Sequence, residues 1–188
     1  YDMRSVLREL FMSEFFKNAA FAKVKRPVDV IVSLSRLVGD YVYAPDAPLN
    51  DIFPSNGIMK DTAQPSHWMG QELLNPPSVE GWHSGIEWID SGTMVERVNV
   101  AASVVGDKDK HGIKKIIAEV AKANCEEPVQ IIDSCLGILG PIEVSAETKH
   151  GLIQFAESNL QTNYDEDFAD LVAKILQLIV ATPEYHLG

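Results

Sequence analysis

Apolar residues recur every three to four positions along most of the chain, and prolines, glycines and charged turns separate the runs. Val6, Leu7, Leu10, Phe11 and Phe15 predict a first helix over residues 3–18, with Met12 and Phe16 widening its apolar face. Asp2 is its expected N-cap, because a carboxylate there accepts from free backbone N–H groups. So wide a stripe predicts a well-buried helix. Pro27 opens the next helix, where its missing N–H is no loss. Its stripe is Val28, Ile31, Leu34, Leu37 and Val38, flanked by Val30 and Val32, and Gly39 ends it. Residues 40–60 keep no period and hold Pro45, Pro48 and Pro54, which predicts a long connection.

A helix is predicted from Thr62 to Leu74, with Met69, Leu73 and Leu74 in apolar contact and Gly70 inside it, read as a point of close backbone approach. Asp90 or Ser91 caps another, running to Val105 with Met94, Val95, Val98, Ala101, Ala102 and Val105 inward. Beyond the charged turn at Asp107–Gly112, four shorter helices follow. Their stripes are Ile113, Ile116, Ile117, Val120 and Ala121; Val129, Ile132, Cys135, Leu136 and Leu139; Leu152, Ile153 and Ala156; and Phe168, Leu171, Val172, Ile175, Leu178 and Ile179. Gly140-Pro141 and Thr182-Pro183 are stops, Ser145 is an N-cap, and Asp165-Glu166-Asp167 sets negative charge at the positive end of the last helix. The expected fold is all-α, with about eight helices in an irregular orthogonal array and no strand. It is read as a single domain over 1–188, with residues 1–106 as one half and residues 107–188 as a C-terminal four-helix unit.

One stretch departs from this pattern. Residues 67–90 hold all three tryptophans and two of the five histidines. Pro76-Pro77 stops the helix, since the residue before a proline is pushed out of the α region. A Gly- and Trp-bearing loop then runs to Asp90. Trp82 and Trp88 are expected to pin this loop to the helix before it, each buried indole needing a partner for its N–H. Arg97 is expected to reach back to Glu80, Glu87 or Asp90.

These residues carry a resemblance. Gly70-Gln71-Glu72-Leu73-Leu74-Asn75-Pro76-Pro77-Ser78-Val79-Glu80-Gly81-Trp82, with Glu87-Trp88-Ile89 and Met94 to Asn99, resembles the signature of the bacterial domain-of-unknown-function family 1800. Val24 to Asp29 and Leu178 to Tyr185 resemble its flanking pieces. Members of that family are usually longer and often exported. The resemblance therefore implies the C-terminal part of a longer protein, periplasmic or extracellular if exported and cytoplasmic otherwise. It implies no catalytic residue.

Charge narrows the partners. The chain has 188 residues and a net charge of -11. Residues 1–60 carry 8 Lys/Arg against 7 Asp/Glu, and the rest carry 8 against 20. Such a surface repels phosphate backbones and argues against nucleic-acid binding. No apolar run approaches the ~20 residues of a membrane span. Cys125 and Cys135 match no metal or redox spacing, and Cys135 reads as a buried thiol.

Three chemistries compete for the loop. Trp68, Trp82 and Trp88, with Gln71, Glu72, Asn75, His83 and Arg97 near them, suit a carbohydrate or peptide ligand on an aromatic platform with polar edges. His67, His83, Glu87 and Asp90 are candidate metal ligands, although no H-E-x-x-H pattern exists and Gly81 and Gly85 argue against a helix joining His83 to Glu87. A hydrolase would use His67, Glu72 and His83. Ser78, Ser84 and Ser91 lie near His83, but none sits in a nucleophile elbow. No phosphate-binding glycine motif and no cofactor signature is present, so no cofactor is expected. The favoured expectation is a non-catalytic binding or assembly module, its partner being the rest of its own chain or another protein.

Overall fold

The computed structural model describes residues 2–39, 58–123, 125, 127–159 and 166–187. Among these residues the fold is all helical, with no strand. The helices are α1 (Met3–Met12), α2 (Glu14–Lys17), α3 (Pro27–Val38), α4 (Ile58–Trp68), α5 (Ser91–Val105), α6 (His111–Lys122), α7 (Pro128–Leu139), α8 (Ala146–Asn159) and α9 (Glu166–Val180). Single 3-10 turns lie at Gly85–Trp88 and Pro183–His186. Of the connection expected over residues 40–60, residues 40–57 lie outside the described residues and 58–60 are already helical in α4; Asp165 also lies outside them.

Most predicted stops are where the sequence put them. Pro27 occupies the first turn of α3, and Gly39 ends it in the left-handed region at φ 78°. Asp2 caps α1 by accepting from the Arg4 amide. Ser145 caps α8 through the Thr148 amide at 3.1 Å. The same helix start is held from outside: the Glu184 carboxylate, on the C-terminal turn, accepts from the Ser145 amide at 3.1 Å and the Thr148 hydroxyl at 2.9 Å.

The core is one cluster to which both halves contribute. Val30, Leu34 and Val38 of α3 and Ala101 and Val105 of α5 meet Ile113, Ile131, Ile132, Cys135, Leu152 and Ala156 from the C-terminal helices. Helix α9 runs through it, packing on α5, α6, α7 and α8. Its buried residues include Leu171, Val172, Ile175, Leu176 and Ile179; Leu178, expected inside, is exposed and Leu176 takes that place. Val95 and Val129 are likewise exposed. The α5 stripe is rotated from the apolar reading because Arg97, one turn before Ala101, takes the buried position.

The first predicted helix is broken and unburied. The Ser13 hydroxyl donates to the Leu10 carbonyl at 2.7 Å and accepts from the Phe16 amide at 3.2 Å, so one side chain ends α1 and starts α2. No residue of either is buried, and Phe15 is 79% exposed. The width of the apolar stripe suggests burial, but among the described residues no helix besides α2 packs closely on α1.

Backbone closeness at α3 and α6 depends on Gly112. A Cβ there would overlap the Leu37 carbonyl oxygen. Gly112→Ala should therefore destabilise the fold by roughly 1–3 kcal/mol, read as a lower urea midpoint. Gly151→Ala, on exposed α8 with open space at its Cβ, should be neutral or stabilising by up to ~1 kcal/mol.

Candidate functional site

Helix α4 ends at Trp68, six residues before the expected Leu74. The cause is Gly70, which sits at φ 93°. The Gly70 amide bonds the His67 carbonyl at 2.9 Å and the Gln71 amide bonds the Ser66 carbonyl at 2.7 Å, the two bonds of a Schellman ending. The nearest atom to a Cβ at Gly70 would be the Thr93 methyl at 3.6 Å, so its role is its backbone angle and not the close approach expected. The turn swings Gln71 inward. Its side-chain oxygen accepts from the Val28 amide at 3.0 Å and so caps the start of α3. The residue read as a ligand contact is 4% exposed and joins two helices.

The loop beyond is fixed by its own bonds. The Trp82 indole N–H donates to the Glu72 carbonyl at 3.2 Å. Ser78 and Gly81 face each other across a tight turn whose tip is Val79. Glu87 accepts from the Ser84 amide at 3.1 Å and starts the 3-10 turn. That turn, despite Gly85, brings His83 Nδ1 within 3.8 Å of Glu87, a pairing the glycines had argued against. Asp90 caps α5, accepting from the Gly92 and Thr93 amides at 2.7 and 2.9 Å. Those amides, the Thr93 N–H foremost, hold its carboxyl below the usual range.

Arg97 carries the loop's inner end. It is 0% exposed and meets none of Glu80, Glu87 or Asp90, the partners expected for it. Its guanidinium donates instead to the Lys25 carbonyl at 2.8 Å and the Trp88 carbonyl at 3.5 Å. Around it, Lys25 bonds the Tyr185 carbonyl through its ammonium at 2.6 Å and the His186 carbonyl through its amide at 2.9 Å. Val24 pairs with Leu187 in an isolated antiparallel bridge. The N-terminal entry to α3, the loop and the C-terminal turn thus converge on one cation. His186 is buried there, and neither ring nitrogen has a hydrogen-bond partner among the described residues. Burial, then the nearby charges of Arg97 and Lys25, push its pKa down to about 4, against a weak opposite pull from the Val180 carbonyl.

The structure therefore sorts the candidate residues. Trp88 (2% exposed), Gln71 and Arg97 are inside. Trp68, Glu72, Trp82 and His83 are on the surface, so the platform expected from three indoles reduces to two. His67 lies 3.7 Å from Glu72, and His83 pairs separately with Glu87; all four are more than half exposed. Among the described residues no three of His, Cys, Asp and Glu gather as a metal site would need. Cys125 and Cys135 are free thiols, and burial pushes Cys135 up to about 12.

Two surfaces escaped the sequence reading. Leu74, at φ 67° and 95% exposed, is placed outward on the loop with Val79, Ile86 and Leu73, where Leu73 and Leu74 were expected in apolar contact. A run of apolar residues within a proline loop was the available signal. Elsewhere a cleft of about 370 Å³ opens between Phe21, Lys25, Leu37, Ile142, Glu143 and Glu184. None of the predicted site residues lines it; its signal was the cluster of Lys23, Lys25 and Arg26 before α3 and the Thr-Pro-Glu-Tyr ending.

Fold and loop together define an all-helical protein with a twin-proline, tryptophan-bearing loop clamped onto its body. The chain belongs to the family described as Protein of unknown function (DUF1800), whose model matches residues 1–187. No curated protein and no solved structure matches it. Among the described residues no helix is long and apolar enough to cross a membrane.

The His186 shift predicts an acid-side loss of stability. The folded pKa, about 4, lies below the ordinary 6.5, so the unfolded chain takes up the proton first. The contribution is whole above pH 6.5 and is lost as pH falls towards 4, a total of roughly 3 kcal/mol. Urea titrations of wild type and His186→Gln should show the wild type losing ground across that window. Parallel curves would contradict it.

Proposed function

We propose that this chain is a non-catalytic recognition module whose twin-proline loop binds a protein segment bearing apolar and basic residues. One observation carries the reading: a loop held by its own hydrogen bonds presents Leu74, Val79 and Ile86 to solvent among carboxylates. Large apolar side chains on a fixed, exposed loop lose solvation on docking without much ordering cost. Residues 61–96 hold six Asp/Glu and no Lys or Arg, which favours a cationic partner. The two exposed indoles, Trp68 and Trp82, add the flat amphipathic surface that interfaces favour. The hydrolase alternative built on His67, Glu72 and His83 gains no support, since His67 lies 3.7 Å from Glu72 and His83 3.8 Å from a different carboxylate, Glu87.

The test uses two labelled peptides of equal length, one of Leu, Phe and Lys, the other of Leu, Phe and Glu. The basic peptide should bind and the acidic one should not. Val79→Ser with Ile86→Ser should weaken binding by about tenfold with little change in melting temperature. Equal binding of both peptides, or indifference to the double substitution, would refute the reading. Metal analysis of the purified protein should find no stoichiometric zinc, iron or manganese; finding one would favour the enzyme.

A further inference from the structure

A second exposed apolar surface lies on the same chain. Helices α1 and α2 expose Met3, Val6, Leu7, Leu10, Phe11, Phe15 and Phe16. Nothing in the described chain covers them, and the two helices touch each other more than anything else. Arg4 and Arg8 lie one turn apart on the flank of the α1 stripe beside Phe11, and neither has an ion-pair partner among the described residues. This arm joins the body through residues 18–23, where Phe21 is held at φ 56°, a left-handed conformation that L side chains rarely adopt.

The arm and the loop complement each other. The apolar stripe of the arm is flanked by Arg4 and Arg8, while Glu9 falls on the opposite side of α1; the loop is apolar, with Glu80, which has no ion-pair partner among the described residues, beside Val79 at its tip. Both are exposed in one chain, so neither covers the other within a protomer. We infer that the twin-proline loop receives the α1–α2 arm of a second copy of this chain. This rests on the recognition reading of the loop and names its partner. Reciprocal exchange of two arms closes a two-fold dimer and leaves no surface free for further growth, whereas one-way exchange would run on as a filament. Phe11 and Phe15 supply the apolar anchors, and Arg4 and Arg8 set the orientation against the loop carboxylates.

Sedimentation velocity on residues 1–188 tests this. Wild type should run at twice the 20.8 kDa protomer mass. The arm variant Phe11→Ser with Phe15→Ser and the loop variant Val79→Ser with Ile86→Ser should each run as monomers, every altered side chain being exposed. Mixing the two variants restores one intact arm facing one intact loop, so a heterodimer should reappear. Arg4→Glu with Arg8→Glu leaves every apolar residue in place; it should raise the dimer dissociation constant about tenfold at low salt and far less at high salt. A wild type that stays monomeric, a dimer that the loop variant leaves intact, or a mixture that fails to pair would overturn the inference. A monomer that still binds the basic peptide through Val79 and Ile86 would sink the self-pairing and leave the recognition reading standing.

Discussion

The guanidinium of Arg97 is a positive charge inside the protein with carbonyl oxygens for partners. Removing a cation from water costs several kcal/mol, and two carbonyl dipoles return only part of that. Such an arrangement persists where the rest of the structure leaves the charge no better place. Here two segments distant in sequence meet at it, Lys25 before α3 and Trp88 at the end of the loop, and Val24 and Lys25 in turn hold the Tyr185–Leu187 turn. Its neighbour is held neutral as well: burial foremost, and then the charges of Arg97 and Lys25, disfavour a proton on the His186 imidazole.

From that junction the loop's rigidity follows. Trp88 is anchored at its inner end, Asp90 turns the chain into α5, and the Gly70 turn fixes the outer end by sending Gln71 to the start of α3. With both ends fixed and Trp82 bonded across the middle, the residues between have few conformations open to them. That is why Leu74, Val79 and Ile86 can stand in solvent without collapsing onto the body. A loop built this way offers its apolar side chains at low ordering cost, which suits recognition better than chemistry. The separate pairing of His67 with Glu72 and His83 with Glu87 points the same way.

Much of the fold was legible because its punctuation is local. Pro27, Gly39, Ser145 and Thr182-Pro183 act through their own backbone angles or their own hydrogen bonds, so position in sequence is enough to place them. Family membership was legible for the same reason, from a run of neighbouring residues. What escaped depended on distant partners. An arginine one helix after an acidic loop reads as half of a salt bridge to Glu80, Glu87 or Asp90; only the carbonyls of Lys25 and Trp88 make Arg97 a core residue. The apolar face of α1 has the period of a buried helix, yet period records only that a face is apolar and says nothing of what covers it. Gly70 was read inside a helix because Leu73 and Leu74 continued the apolar pattern, whereas its left-handed angle had already ended the turn. For the candidate site, the segment was legible, but the roles of most of its residues were not: Trp88 packs inward as expected, whereas Gln71 and Arg97 face inward and Leu74, Val79 and Ile86 outward, opposite to what polarity alone suggests.

Hydrogen exchange of Arg97→Met against wild type examines whether one buried cation holds the loop in place. The substitution keeps the length of the side chain and removes its charge and donors. If the account holds, amides over residues 71–90 and those near Lys25 and Leu187 lose protection together, while α6 to α8 keep theirs until global unfolding. Unchanged protection over residues 71–90 would show that the loop stands without Arg97, and would contradict it.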